Sequence, residues 1–168
     1  MLTGALRRAL RREPLILFFG WVMADLLNVE IKIRSVIEDL DASGLARGEP
    51  EITERVCRGE LRTGEESLVL TYSESEEGGS VETELSVLGG VIRLCRRGAI
   101  DSVLEFSEGG VYDTLYSVGP YKFDMTVKTK RIRCTLGKEG GEIGLVYEMV
   151  LGGSRRIARM KIEACAAK

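Results

Sequence analysis

From Leu27 onward, apolar residues recur at every second position, and glycine cuts the runs into short lengths. In residues 27–39, LNVEIKIRSVIED, one set is Val29, Ile31, Ile33, Ser35 and Ile37, and the other is Glu30, Lys32, Arg34, Val36 and Glu38. A period of two with a charged opposite face is the pattern of an antiparallel strand buried on one side. Similar runs follow. Leu68, Leu70 and Tyr72 share a side; Val81, Thr83, Leu85 and Val87 alternate behind the SESEEGGS turn; Ile100, Leu104 and Phe106 share a parity. EITERVCRGELR is β-prone with a less defined inward face, and DASGLARGEP is a turn or loop, with room for a short helix within residues 39–50. Roughly nine or ten strands result, joined mostly by short turns. The 20 glycines against 3 prolines suit that reading.

Such a chain cannot stay an open single sheet, because every strand has an apolar face to bury and an open sheet has two edges to protect. The expectation is all-β: an antiparallel, closed or nearly closed, lipocalin-like barrel, with a two-sheet sandwich as the alternative. A length of 168 residues suits one domain, and 44% hydrophobic residues supply its core.

Composition removes several chemistries. There is no histidine, so Ser-His-Asp and Cys-His nucleophilic systems and Cys/His zinc sites are excluded. Cys57, Cys95, Cys134 and Cys165 lie far apart, without the close spacing of a redox or zinc pair; reduced, buried thiols are expected. No metal site, cofactor or catalytic set is indicated, and enzymatic activity is not the favoured reading. A formal charge of −2 argues against general nucleic-acid binding. The acidic turn holding Glu74, Glu76 and Glu77 lacks a calcium-loop pattern and reads as solvated. Glu82 and Glu84 read as solvent-facing, because Val81, Thr83 and Leu85 supply the core parity.

Residues 1–26 are a separate extension ahead of a barrel domain at 27–168. Arg7, Arg8, Arg11 and Arg12 precede an apolar run from Leu15 to Ala24. The run is too short to span a bilayer, which argues against integral membrane association. The segment is compatible with a helix packed outside the barrel, a cleaved leader, or upstream sequence absent from a natural product that starts at Met23. Removing residues 1–22 takes away four arginines and one glutamate, which moves the formal charge from −2 to −5. The barrel domain itself is acidic.

Residues 114–137, TLYSVGPYKFDMTVKTKRIRCTLG, hold a basic cluster, with Lys128, Lys130, Arg131 and Arg133 within six positions. Phe123, Met125 and Val127 share one parity, whereas Ile132, Cys134 and Leu136 occupy the other. A β-bulge near Lys130–Arg131 would keep both halves inward and leave the basic residues in solvent. That is the preferred reading. An unbroken strand would instead carry Arg131 and Arg133 inward with the Thr129 hydroxyl, and would need carboxylates or a bound anion to offset the buried charge. A third reading is a basic outer patch, joined by Arg155, Arg156, Arg159 and Lys161 if the strands pair. Candidates for an interior ligand site are Tyr72, Glu82, Arg97, Tyr116, Thr129, Arg131, Arg133 and Tyr147. Arg97 enters through its shared parity with Arg93 and Cys95, and Tyr116 through its shared face with Tyr112.

The ordered segments VEIKIRSVIED, ESLVLTYSESEEGGSVETELSV, VIRLCRRGAIDSVLEFSEGG, TLYSVGPYKFDMTVKTKRI, GGEIGLVYEMVLGG and RRIARMKIEA resemble those of the YwiB-like calycin-type β-barrels. These are small bacterial proteins, mostly without an assigned function. The resemblance covers about residues 29–164 and brings no catalytic motif. It implies a lipocalin-like barrel and a cytoplasmic bacterial protein, with secretion the alternative if the N-terminal segment is a cleaved leader. Family members typically begin near the first strand, which favours a start at Met23. The leading functional expectation is non-enzymatic binding of a small amphiphilic or anionic molecule inside the barrel. The alternative is a protein-interaction or structural module using the outer surface.

Overall fold

The computed structural model describes residues 25–168, so the expectations for the N-terminal segment fall outside the described residues up to residue 24. Ten antiparallel strands follow in order: β1 (Asp25–Leu40), β2 (Ala46–Thr63), β3 (Ser67–Glu76), β4 (Gly79–Leu88), β5 (Val91–Gly98), β6 (Ile100–Phe106), β7 (Val111–Val118), β8 (Tyr121–Cys134), β9 (Gly140–Leu151) and β10 (Ser154–Ala166). Each pairs with its neighbours in sequence, and β10 returns to β1, which closes the barrel. Closure removes both sheet edges and decides against the sandwich.

The inward residues are those that the alternation selects. Val29, Ile31, Leu61, Leu70, Leu85, Phe106, Val127 and Leu145 are almost wholly buried. Phe106 on β6 and Tyr147 on β9 pack across the interior with ring centroids 4.8 Å apart. β2 takes its inward parity from Leu61, Cys57 and Arg55, and Gly59 faces inward between Val29 and Tyr72 in the register. A methyl at Gly59 would meet the Ile31 side chain at 2.8 Å, so the barrel wall has no room for a larger residue there. At the β5–β6 turn, Gly98 has a φ of 119°, a conformation open to glycine and rarely to other residues.

No helix forms within residues 39–50. Asp41 instead accepts hydrogen bonds from the Ser43 amide at 2.9 Å, the Ser43 hydroxyl at 2.6 Å and the Leu45 amide at 3.0 Å. This side-chain closure makes a tight turn, and β2 begins at Ala46. The cysteines are all free, as expected. Burial differs from expectation: Cys57 and Cys95 are half-buried, while Cys134 and Cys165 are exposed, because the latter two lie toward strand ends.

The bulge in β8 lies where the change of parity places it. Thr129 pairs with Tyr147 and Arg131 with Val146, which leaves Lys130 as the extra residue. Met125, Val127 and Thr129 are buried on one side of it, and Ile132 turns inward on the other. The β6–β7 turn secures the irregular segment. Gly110 accepts the Thr129 amide at 3.0 Å, and the Glu108 carboxylate accepts the Ile132 amide at 2.9 Å.

Candidate functional site

Four charged side chains occupy the interior side of the barrel wall toward one end. Glu74 and Glu76 continue the inward parity of Leu68, Leu70 and Tyr72 along β3; Arg96 continues that of Ile92 and Leu94 along β5; Arg55 faces in from β2. Arg96 lies 3.1 Å from Glu74 and 3.6 Å from Glu76. Arg55 lies 3.4 Å from Glu74 and makes a close contact with Glu76. Each arginine therefore touches both carboxylates, and the tetrad is electrically neutral.

The tetrad is graded in depth. The Glu74 side chain is 8% exposed and that of Arg55 is 32% exposed, so the network runs from the interior toward solvent. Thr83 adds its hydroxyl, which donates to Glu74 at 3.4 Å. Burial of ions costs several kcal/mol each unless partners are well placed. The reciprocal pairing supplies those partners.

Hydroxyl groups surround the tetrad. Tyr72 pairs with Thr83 across β3–β4. Ser102 sits between Arg96 and Tyr116 in the register of β5, β6 and β7. Its hydroxyl is buried and has no hydrogen-bond partner among the described residues, and the same holds for Thr129 beside Tyr147. Such orphan groups are uncommon in native interiors and call for an explanation. Burial pushes the Tyr147 phenol up to about 12. Burial, then the nearby Glu74, raises that of Tyr72, and burial raises that of Tyr116. These phenols stay protonated at neutral pH and so keep an O–H available to donate. Burial also raises the inward Cys57 thiol, reinforced by Glu74, which disfavours the nucleophilic thiolate.

Of the candidates from sequence, Tyr72, Tyr116, Thr129 and Tyr147 face the interior. The other four do not. Arg131 and Arg133 are exposed because the bulge turns them outward, so the unbroken-strand alternative fails. Glu82 is on the outer face and accepts a hydrogen bond from Ser73 at 2.8 Å. Arg97 is exposed, and its neighbour Arg96 takes the inward place. The reading of Glu74 and Glu76 as a solvated turn is also overturned: β3 runs to Glu76, and both carboxylates point in toward the two arginines. Parity alone marks these residues in the sequence, since 68, 70, 72, 74 and 76 form one series, as do 92, 94 and 96.

Acid sensitivity follows from these pairs. The Arg55 contact holds the Glu76 carboxyl below its ordinary 4.5. On the outer wall Arg155 does the same for Glu148, with a hydrogen bond of 2.7 Å. Because folding lowers both values, the unfolded chain binds more protons as pH drops below about 4.5, and stability is lost through that window. Denaturant midpoints are expected to stay level from pH 7 to 5 and to fall below about 4.5. Glu76→Gln and Glu148→Gln should each flatten that fall. A slope unchanged in both variants would contradict the assignment.

Comparison with known proteins agrees with this architecture. The uncharacterized β-barrel protein YwiB of Bacillus subtilis (strain 168) is 27% identical over 124 residues, which cover 74% of this chain and 82% of YwiB. The crystal structure of the B. subtilis ywiB protein superposes with a TM-score of 0.75 at 24% identity, covering 85% of this chain and 94% of that one. That likeness is one of fold. Residues 31–163 match the family model described as a domain of unknown function, DUF1934, and the chain belongs to that family.

Proposed function

We propose that the barrel binds a small amphiphile non-enzymatically, with the ligand's polar head at the Arg55–Glu74–Glu76–Arg96 tetrad. The observation that carries this reading is a neutral set of four charges inside the barrel wall, flanked by the unpartnered buried hydroxyl of Ser102. A specific small-molecule site needs a few converging polar groups on a mostly apolar wall. Here Tyr72, Tyr116 and Ser102 supply the former, and Leu94, Leu104 and Met125 belong to the apolar cluster beneath. Because Arg55 and Arg96 each divide their N–H groups between Glu74 and Glu76, the favoured head is a single oxyanion, which competes with Glu76 for the two guanidinium groups. The hydroxyls then complete the head's hydrogen bonds.

Decanoate and decyltrimethylammonium, which share a chain and differ in head charge, test the reading by isothermal titration. Decanoate is expected to bind saturably and the cation not to bind. Arg55→Gln should weaken decanoate by about tenfold or more, the equivalent of one charged hydrogen bond. Glu76→Gln should tighten it several-fold, because it frees a guanidinium from a competing carboxylate. Absence of saturable binding, or variants that bind like the parent, would sink the proposal.

A further inference from the structure

The bulge that turns Arg131 and Arg133 outward also gives them neighbours. Across the outer face, the register aligns Arg133, Gly144, Lys161 and Arg34 in one row. It aligns Arg131, Val146, Arg159 and Val36 in the next. These side chains line a groove of about 330 Å³ on the barrel wall. With strands about 4.8 Å apart, Arg133 and Lys161 stand roughly 10 Å apart at their Cα atoms, and the two rows lie about 7 Å apart. Gly144 leaves a notch between its flanking cations, since a methyl there would meet nothing nearer than the Arg133 Cβ at 3.6 Å.

Charge in the groove is only partly matched. Arg34 pairs with Glu54 at 3.0 Å, Arg159 with Glu38 at 2.7 Å, and Lys161 with Glu142 at 3.3 Å and Glu163 at 2.9 Å. Arg131 and Arg133 have no carboxylate partner among the described residues. Two unpaired guanidinium forks beside an ammonium and a side-chain-free notch suit a compact multivalent oxyanion, whose several oxygens accept forked hydrogen bonds. We infer that this groove is a second binding site, separate from the barrel interior, for the phosphate group of a small molecule. The phosphate would sit over Gly144 between Arg131, Arg133 and Lys161. Val36 and Val146 offer an apolar floor to the rest of the ligand. The surrounding Glu38, Glu54 and Glu163 interrupt any longer basic track, which disfavours a nucleic-acid backbone.

Inorganic pyrophosphate is the probe, titrated into the full chain while the Gly144 and Arg133 amide resonances are followed. Saturable shifts at both are expected. Arg133→Gln should weaken binding by about tenfold, in line with the loss of one charged hydrogen bond. Gly144→Val should abolish binding by filling the notch. Its thermal midpoint should stay at or above that of the parent, because a β-branched residue suits a strand and its Cβ comes no nearer than 3.6 Å to the Arg133 Cβ. Arg55→Gln, in the interior tetrad, should bind pyrophosphate normally, so this site and the interior site can fail independently. Shifts that never saturate, a folded Gly144→Val that binds like the parent, or saturation by a DNA oligonucleotide without saturation by pyrophosphate would each overturn the inference.

Discussion

Arg96→Met is expected to lower unfolding free energy by about 3 kcal/mol, because it leaves a buried carboxylate short of its shorter ion pair. Glu74 is 8% exposed and loses the 3.1 Å contact, keeping only Arg55 at 3.4 Å and the Thr83 hydroxyl. The expected cost lies at the lower end for broken buried pairs, since Arg55 can still approach both carboxylates. The informative comparison is with all four tetrad residues replaced by methionine. Exchanging a complete buried ion network for apolar side chains of similar volume is often neutral or stabilising. The fourfold variant should therefore recover most of the loss seen with Arg96→Met alone, although its single changes summed would forecast a severe defect. Coupling of that sign is normal within one network. Urea melts of the parent, Arg96→Met and the fourfold variant decide the matter. A fourfold variant that is as stable as the parent and blind to decanoate shows that the charges serve binding rather than stability. One destabilised by the sum of its parts would mean that the tetrad holds the barrel together.

That distinction bears on why the site was only half legible from the residues. Alternation selects a strand's inward face by geometry alone, and it placed Tyr72, Tyr116, Thr129 and Tyr147 inside with no reference to partners. At Glu74, Glu76 and Arg96 the same geometry competed with the rule that charged residues seek water. The rule prevails where a charge has no partner. It fails here because residues on β2, β3 and β5 meet only once these neighbouring strands have paired, a proximity that no single run of sequence displays. Arg97 is the converse case: a parity counted from Arg93 lies one place off the one counted from Ile92, and it exchanges the inward Arg96 for an outward arginine.

Deletion of Lys130 is expected to leave the barrel folded, whereas deletion of Thr126, four positions away, should unfold it. Lys130 is the residue that β9 leaves unmatched, with Thr129 opposite Tyr147 and Arg131 opposite Val146. Without it, Arg131 follows Thr129 as an ordinary outward position, and Ile132 still turns inward. The expected cost is about 1–3 kcal/mol, chiefly from disturbing the amide of Ile132 that Glu108 accepts. Thr126 lies between Met125 and Val127, both buried, with β7 and β9 paired on its two sides. Losing it puts Val127 and Thr129 on the outer face and sends Lys128 toward the core, or else reverses everything before it. A slip of one residue inverts a whole strand segment, so no local adjustment repairs it. Circular dichroism and urea melts of the two deletions provide the check. The phosphate inference adds a sharper readout, because deleting Lys130 keeps Arg131 and Arg133 outward in their rows with Val146 and Gly144. Pyrophosphate shifts at Gly144 should survive that deletion. Two deletions equally damaging would mean that the extra residue is required by the bend of β8 itself, and that the barrel closes only with the bulge in place.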